Sequence, residues 1–512
     1  MSKAAPFDMA TFLRFDTVDK KTFFYQVSTI FAAASIVYIV GKCIYNRYFH
    51  PLRHFPGPVA ASLTEFYLPW SFYFGVAEHV TDEQRHARYG SITRKAPNVL
   101  QIDDPELLPV FNNRTTHKPK RVYYSPAWGV GDVPTILNQL HPKEHQVARK
   151  RLTPAFIGTA VKKMQPLMQK RVDEWIEKSW EYANEGTAID WSKWTQSLAY
   201  DVITELVFGA PIGFVKTKTD VYGVLQQFKQ ATPYIGILNR LPWLVEAIWK
   251  SPLGSYLIPA ADTPLGKIFS VRDRLLQERL DKSVDKPDIL SVLLKGVNED
   301  GSPVSLDVIK SESFILMAAG SETTFSVMCS FTINIIQHPR VYKKIMETDL
   351  SPENLAQEDP QFPYLYLAIK ESMRLMHPAP SFFPRLVGKG GVTLKDGRFI
   401  PEGSEVAMNP YCVLRSKKIF GDDADQFRPE RWIDSPPEQL ALMETYNPIW
   451  SYGRTSCPGK PVAEMELLMA FRALLLNFVP EFANPEKPWD HITNYGSLVY
   501  EGLYIKLKPR VA

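Results

Sequence analysis

Apolar residues fall along this chain in three patterns, and each predicts a different kind of element. Near the N-terminus, Phe23 to Val40 is an apolar run. Apart from the tyrosine hydroxyls, its polar members are Gln26, Ser28, Thr29 and Ser35. At about 1.5 Å of rise per residue, a helix of this length just crosses the hydrocarbon core of a bilayer. The pattern therefore predicts a transmembrane anchor over 23–41, after a short segment 1–22. A signal peptide is the competing reading. No cleavage site of the A-x-A kind follows, since the next residues are Gly41-Lys42-Cys43-Ile44. Flanking charge does not set the orientation: Lys20 and Lys21 precede the run, and Lys42, Arg47 and Arg53 follow it. Residues 42–60, with Pro51, Pro56 and Pro58, read as a stiff Pro-rich lead-in to a single large unit over 61–512.

The second pattern is a long helical one, Leu306 to His338. Ser305 can cap it, Pro339 can stop it, and no proline interrupts it. A shorter helix is predicted over 363–377. The third pattern is short and broken. Leu386 to Val413 reads as brief strands and turns, with Asp396-Gly397 and Glu402-Gly403 as turn signals. The fold class is mainly α with small β-sheets. The stretch Leu241 to Trp249 is apolar enough to dip into a membrane and equally suits a buried helix.

Composition removes several function classes. The 512 residues carry 59 basic and 55 acidic side chains, a formal net charge of +4, without the concentrated basic excess of a nucleic-acid binder. The four cysteines, Cys43, Cys329, Cys412 and Cys457, form no CxxC pair and no disulfide framework. That argues against a zinc site and for a reducing compartment.

Four segments carry candidate chemistry. In Trp450-Ser451-Tyr452-Gly453-Arg454-Thr455-Ser456-Cys457-Pro458-Gly459, a thiol stands on a Gly-bounded turn before the apolar run Val462 to Phe478. N–H groups at a helix start favour thiolate over thiol, so Cys457 is a candidate metal ligand or, on the blander reading, a small buried residue. The long helix carries Ala319-Gly320-Ser321-Glu322-Thr323-Thr324. Gly and Thr are unfavourable in a helix interior, and such local conflict often marks a functional position. A threonine hydroxyl can bond a carbonyl one turn back and open a groove for a small ligand or water. Glu371 and Arg374 share a helix face at i, i+3, and Arg431 adds a second basic group. His145 and Arg149 could together bind an anion. Taken singly, the last two segments are weak signals.

Together, and in this order, the four segments resemble the cytochrome P-450 superfamily of haem-thiolate monooxygenases over nearly the whole chain. The resemblance implies a cytochrome P-450 fold behind an N-terminal transmembrane helix. It implies haem b with Cys457 as the axial thiolate within a loop that includes Gly453 and Gly459. It implies Thr323 and Glu322 as the residues that organise water and deliver protons to dioxygen. Glu371, Arg374 and Arg431 correspond to a structural Glu-Arg-Arg triad, and His145, Arg149 and Arg385 to residues that hold haem propionates. Cavity walls are expected from the 121–134 loop, Ala318, Ala319, Phe382, Phe383 and Ser497 to Val499. The implied partners are NADPH-cytochrome P-450 reductase, O2, a membrane and a lipophilic small molecule. Arg454, one residue before Thr455, is a candidate either for a propionate contact or, with Lys150, Arg151 and Lys460, for the reductase-facing surface. The implied location is the endoplasmic reticulum membrane, with the catalytic part cytoplasmic. The Asp288-Ile289-Leu290 stretch and the 48–58 lead-in are most similar to fungal enzymes of secondary metabolism, of the pisatin-demethylase-like kind.

Three positions depart from the family pattern. Trp450 stands where phenylalanine is usual, Ser451 where glycine is usual, and Thr455 where an arginine or histidine usually meets a propionate. Two other functions share these motifs: an atypical haem-thiolate enzyme that couples, rearranges or dehydrates without inserting oxygen, and a non-catalytic haem protein.

Overall fold

The computed structural model describes residues 20–510 apart from 76, 113–132, 253–261, 283–285, 299–300, 348–363, 382 and 495. It is mainly helical, with four small sheets. Most of the short N-terminal segment, residues 121–132 of the expected cavity loop, and Phe382 lie outside the described residues.

The N-terminal apolar run lies in helix α1, Lys20–Ile44. Its aromatic and aliphatic side chains are not covered by protein: Phe24 is 68% exposed, Phe31 74% and Val37 72%. At about 37 Å it exceeds the thickness of a bilayer core. Along the Pro-rich lead-in expected over 42–60 the chain forms three short helical turns, at 45–49, 51–54 and 59–63. They are docked on the body. Leu52 and Phe55 are buried against the first sheet, and the buried Arg94 donates to Asn46 O at 2.9 Å.

That sheet has the order β1 (Ile92–Ala96), β2 (Val99–Ile102), β7 (Glu405–Met408), β4 (Arg385–Leu386), with β2 and β7 parallel. A hairpin of β5 (Val392–Thr393) and β6 (Phe399–Ile400) turns at Gly397, whose φ of +85° explains the Asp-Gly signal. The expected run of strands ends early. Asn409 caps a helical turn at 410–413, where Pro410 can only begin a helix. The second sheet joins β3 (Ile189–Asp190), β11 (Tyr504–Pro509) and β8 (Phe478–Phe482), and β9 (His491–Asn494) pairs with β10 (Leu498–Glu501).

The main core is helical. It gathers α2 (Pro142–Phe156), α3 (Gly158–Glu185), α4 (Trp191–Phe208), α5 (Leu306–Gln337), α6 (Tyr364–Leu375) and α7 (Lys460–Asn477). Helix α5 is long and apolar enough to cross a membrane, but most of it is buried by the other helices, so it is the core helix. Ser305 caps it as expected, its Oγ accepting from Val308 N. The helix ends at Gln337, one residue short of expectation. His338 is pushed out of the α region by the proline after it, and Pro339 then opens a new helix, Pro339–Glu347. Helix α6 ends at Leu375, two residues before the expected end at 377. Helix Pro242–Trp249 buries Val245, as its cap Leu241 is buried, and leaves Trp243 48% exposed, between the two alternatives offered for it.

Candidate active site

A cavity of about 840 Å³ lies between α5 and the loop that precedes α7. The loop is built for a sharp turn. Ser451 and Gly453 both have φ of +63°. For serine that conformation costs about 1–2 kcal/mol, which explains why glycine is the easier residue there. At Gly453 a Cβ would lie 2.9 Å from Asn112 O. The loop closes where Cys457 N donates to Trp450 O at 2.8 Å, and α7 begins three residues beyond Cys457.

Among the four cysteines, only Cys457 lines the cavity. Cys329 is buried in α5 beside the hydroxyls of Thr195 and Ser192, and burial pushes its thiol up to about 12. Cys457 is exposed to the open cavity, yet the protein packed around its thiol raises the pKa. The N–H groups of Gly459 and Lys460 and the charge of Arg149 pull it back. The helix start thus supplies the expected donors, but they do not by themselves outweigh burial. A bound cation would.

The cations are arranged around the same loop. Arg149, on α2, donates from Nη1 to Ser456 O at 2.7 Å and from Nη2 to Ser456 Oγ at 3.2 Å. Arg385, on β4, donates to Thr455 Oγ1 at 3.0 Å. His145, one turn before Arg149, is buried, and all three line the cavity. Thr455 therefore meets an arginine supplied by another strand. Arg454 is exposed and outside the cavity lining.

Across the cavity, α5 presents Ala318, Ala319, Glu322 and Thr323. Thr323 Oγ1 donates to Ala319 O at 2.8 Å and Thr324 Oγ1 to Gly320 O at 2.7 Å, each one turn back. Gly320 has a packing reason: a Cβ there would lie 2.8 Å from Ile203 on α4. Glu322 sits in a cage of neutral donors. Gln196 Nε2 and the Tyr200 hydroxyl donate to Oε1 at 2.9 and 3.0 Å, and Ser497 Oγ donates to Oε2 at 3.3 Å. Burial raises its pKa, and the three donors offset this only in part.

Phe383, Ser497 and Val499 join the wall as expected, while Leu498 turns into the core. Ile136, Leu137, Ile203 and Phe228 also line it, and no motif announces them. Nor does a motif announce Gln196 and Tyr200, which belong to an ordinary amphipathic helix. Glu466 lines the cavity from α7, buried, with Oε1 unpaired among the described residues. Its visible signal is an acid, beside Glu464, within the apolar run 462–478.

Away from the cavity, Glu371, Arg374 and Arg431 meet with no exposed surface. Arg374 donates to both Glu371 oxygens at 2.9 and 3.0 Å, and Arg431 Nε to Oε1 at 2.8 Å. Trp432 Nε1 adds a donor to Oε2 at 3.0 Å. Both guanidiniums also reach backbone carbonyls between Leu414 and Gln426, so the cluster ties down the chain that leads to the thiol loop.

A thiol facing a large apolar cavity, with cations on the rim, is a donor set that fits a planar iron cofactor bearing carboxylates. Comparison with known proteins agrees. The family model for Cytochrome P450 matches residues 112–507, and the chain belongs to that family. The family implies haem iron with a cysteine thiolate ligand. The chain is 28% identical over 485 residues to cytochrome P450 monooxygenase mpaDE of Penicillium brevicompactum, covering 90% of this chain and 56% of that protein. It thus spans about half the length of the first curated relatives it matches. It is 28% identical over 456 residues to quiannulatic acid synthase of Emericella variicolor, covering 83% of this chain and 87% of the relative. For cytochrome P450 monooxygenase traB of Penicillium crustosum the identity is 28% over 479 residues, with 89% and 91% covered.

Proposed function

We propose that this chain is a haem-thiolate monooxygenase that oxidises a lipophilic small molecule in fungal secondary metabolism. It would be held in the endoplasmic reticulum membrane by α1 and supplied with electrons from NADPH by cytochrome P450 reductase. The observation that carries the reading is that Cys457 and the Glu322–Thr323 pair line one largely apolar cavity. The names of the relatives support the activity, and the exposed apolar surface of α1 supports the anchor.

Haem b bound here by a thiolate would supply dioxygen activation, since thiolate donation favours O–O cleavage. Cys457 would hold the iron, on a loop that includes Gly453 and Gly459. Arg149, Arg385 and His145 would pair with the carboxylates. Arg149 and Arg385 hold Ser456 and Thr455 as well, so ligand loop and rim are fixed together. Thr323 carries its hydroxyl at the cavity face of α5, where it can hold a water or pass a proton. Burial raises the pKa of Glu322, which would make it the proton source behind Thr323. The Glu371 cluster acts through structure alone. Arg454, Lys150 and Lys460 are exposed, whereas Arg151 is half-buried, so the first three would be the cations offered to the reductase.

The test is reconstitution with reductase and NADPH under labelled dioxygen, with extracts of a host that makes the candidate scaffolds. Incorporation of one labelled oxygen atom per product is the expected result. Haem binding with NADPH use but no label in any product would favour an enzyme that oxidises without oxygen insertion. No NADPH use at all would favour a non-catalytic haem protein.

A further inference from the structure

Helix α5 carries a second carboxyl that the proposed chemistry does not use. Glu312 lies about three turns before Thr323, and none of its surface is exposed. Both of its oxygens accept from one backbone group, the N–H of Ile136, at 3.0 and 3.3 Å. One residue earlier, Ser311 Oγ donates to Val133 O at 3.2 Å. Two neighbouring helix residues thus hold one short segment of a distant part of the chain.

That segment is already a compact turn. Thr135 Oγ1 donates to Asn138 Oδ1 at 3.0 Å, Gln139 N donates to Thr135 O at 3.0 Å, and Leu137 N donates to Thr135 Oγ1 at 3.2 Å. Two of its apolar members, Ile136 and Leu137, line the cavity, as do Ile315 and Leu316 of α5. The charged side chain that faces Glu312 is Arg151 of α2. A leucine would fill the place of Glu312 at less cost in desolvation. What the carboxyl adds is a specific attachment for the turn.

We propose that Glu312 and Ser311 clamp the 133–138 turn onto α5 and thereby set the width of the cavity at Ile136 and Leu137, selecting which apolar ligands it admits. Both are positioning residues, since neither lines the cavity itself. The selection part rests on the cavity being the ligand site of a haem enzyme; the clamp itself does not.

The experiment uses full-length holoenzyme and three variants, Glu312→Gln, Glu312→Leu and Ser311→Ala. Gln keeps an acceptor for the Ile136 N–H, whereas Leu keeps bulk and removes it. Hydrogen–deuterium exchange of peptides spanning 133–138 reads the clamp. Optical titration with a slim and a bulky aryl triazole reads the cavity width. The ferrous carbonyl spectrum, read separately, reports the haem reading. In Glu312→Leu, exchange in 133–138 should quicken by about tenfold, the loss of a bond worth about 1.4 kcal/mol. The bulky probe should gain affinity relative to the slim one. Ser311→Ala should do the same more weakly, and Glu312→Gln should stay near wild type. A folded Glu312→Leu holoenzyme with wild-type exchange and wild-type selectivity would overturn the proposal. If Glu312→Leu fails to fold, the wild-type protein decides: an Ile136 amide that exchanges as fast as an exposed one sinks the clamp, and a protected one supports it. Absence of a thiolate carbonyl band in the wild type would sink the haem reading and leave the exchange result standing.

Discussion

The guanidinium of Arg149 reaches across to the residue before the thiol, donating to Ser456 O at 2.7 Å. Helix α2 and the Cys457 loop are therefore one unit, although 307 residues separate the two partners. An arginine so placed serves the loop and any carboxylate on the cavity rim. Arg149→Ala should lower haem affinity roughly ten- to a hundredfold, since a charge-assisted pair contributes about 1.5–3 kcal/mol. Haem transfer to a scavenging globin measures this, and an unchanged transfer rate would refute the rim assignment. Arg454→Ala should leave haem content intact and slow reduction in a salt-dependent way.

Cys457→Ser should abolish the red-shifted Soret band of the ferrous carbonyl complex. Cys329→Ser should keep it, because Cys329 is enclosed by α4 and α5 away from the cavity. A retained band in Cys457→Ser would refute the ligand.

Thr323→Ala should retain haem and lose product per NADPH, with the electrons diverted to peroxide or water. Tyr200→Phe and Gln196→Leu should shift the pH profile of coupling while leaving the carbonyl spectrum unchanged, since each removes one donor from Glu322. Wild-type coupling in all three variants would place proton delivery elsewhere.

Glu312 gives a stability signature of definite sign. Burial raises its pKa from 4.5 to about 7, opposed by the Ile136 N–H and by Arg151. Between those values the folded state holds a proton that the unfolded state has released. Its contribution to stability therefore declines as pH rises from about 4.5 and levels off above 7. The total is on the order of 3 kcal/mol. In denaturant titrations, Glu312→Gln should fare better relative to wild type at pH 8 than at pH 5. An equal difference at both pH values would contradict the raised pKa.

The N-terminal boundary is equally open to test. Removing residues 1–44 should release the protein from tight membrane association and keep the haem spectrum. Removing residues 1–58 should destabilise the fold, because Leu52 and Phe55 belong to the core of the first sheet. Each buried side chain of that size contributes about 1.5–3 kcal/mol. Thermal melts of the two truncated forms would separate the outcomes.

Several features follow from sequence alone because the physics behind them is local. A serine cap, an unbroken apolar pattern and a downstream proline mark α5 to within one residue, since capping and proline sterics act over a single turn. The Asp-Gly signal marks the hairpin at Gly397 because its φ demands glycine. The thiol loop is equally legible, its glycines and cysteine standing within a few residues of one another. The partners of these residues are another matter. Glu322 is held by Gln196, Tyr200 and Ser497, and Glu312 by the Ile136 N–H, each from a distant stretch of chain. Arg385 meets Thr455 only because β4 joins β7 at the sheet edge. The prolines of the lead-in over 42–60 mark it as stiff, but only the burial of Leu52 and Phe55 seats it on the sheet. Hydrogen bonds and burial between remote segments leave no spacing to read. They exist only once α4, α5 and the sheet have packed, which is why the sequence showed the reacting groups and the tertiary structure alone decided what holds them.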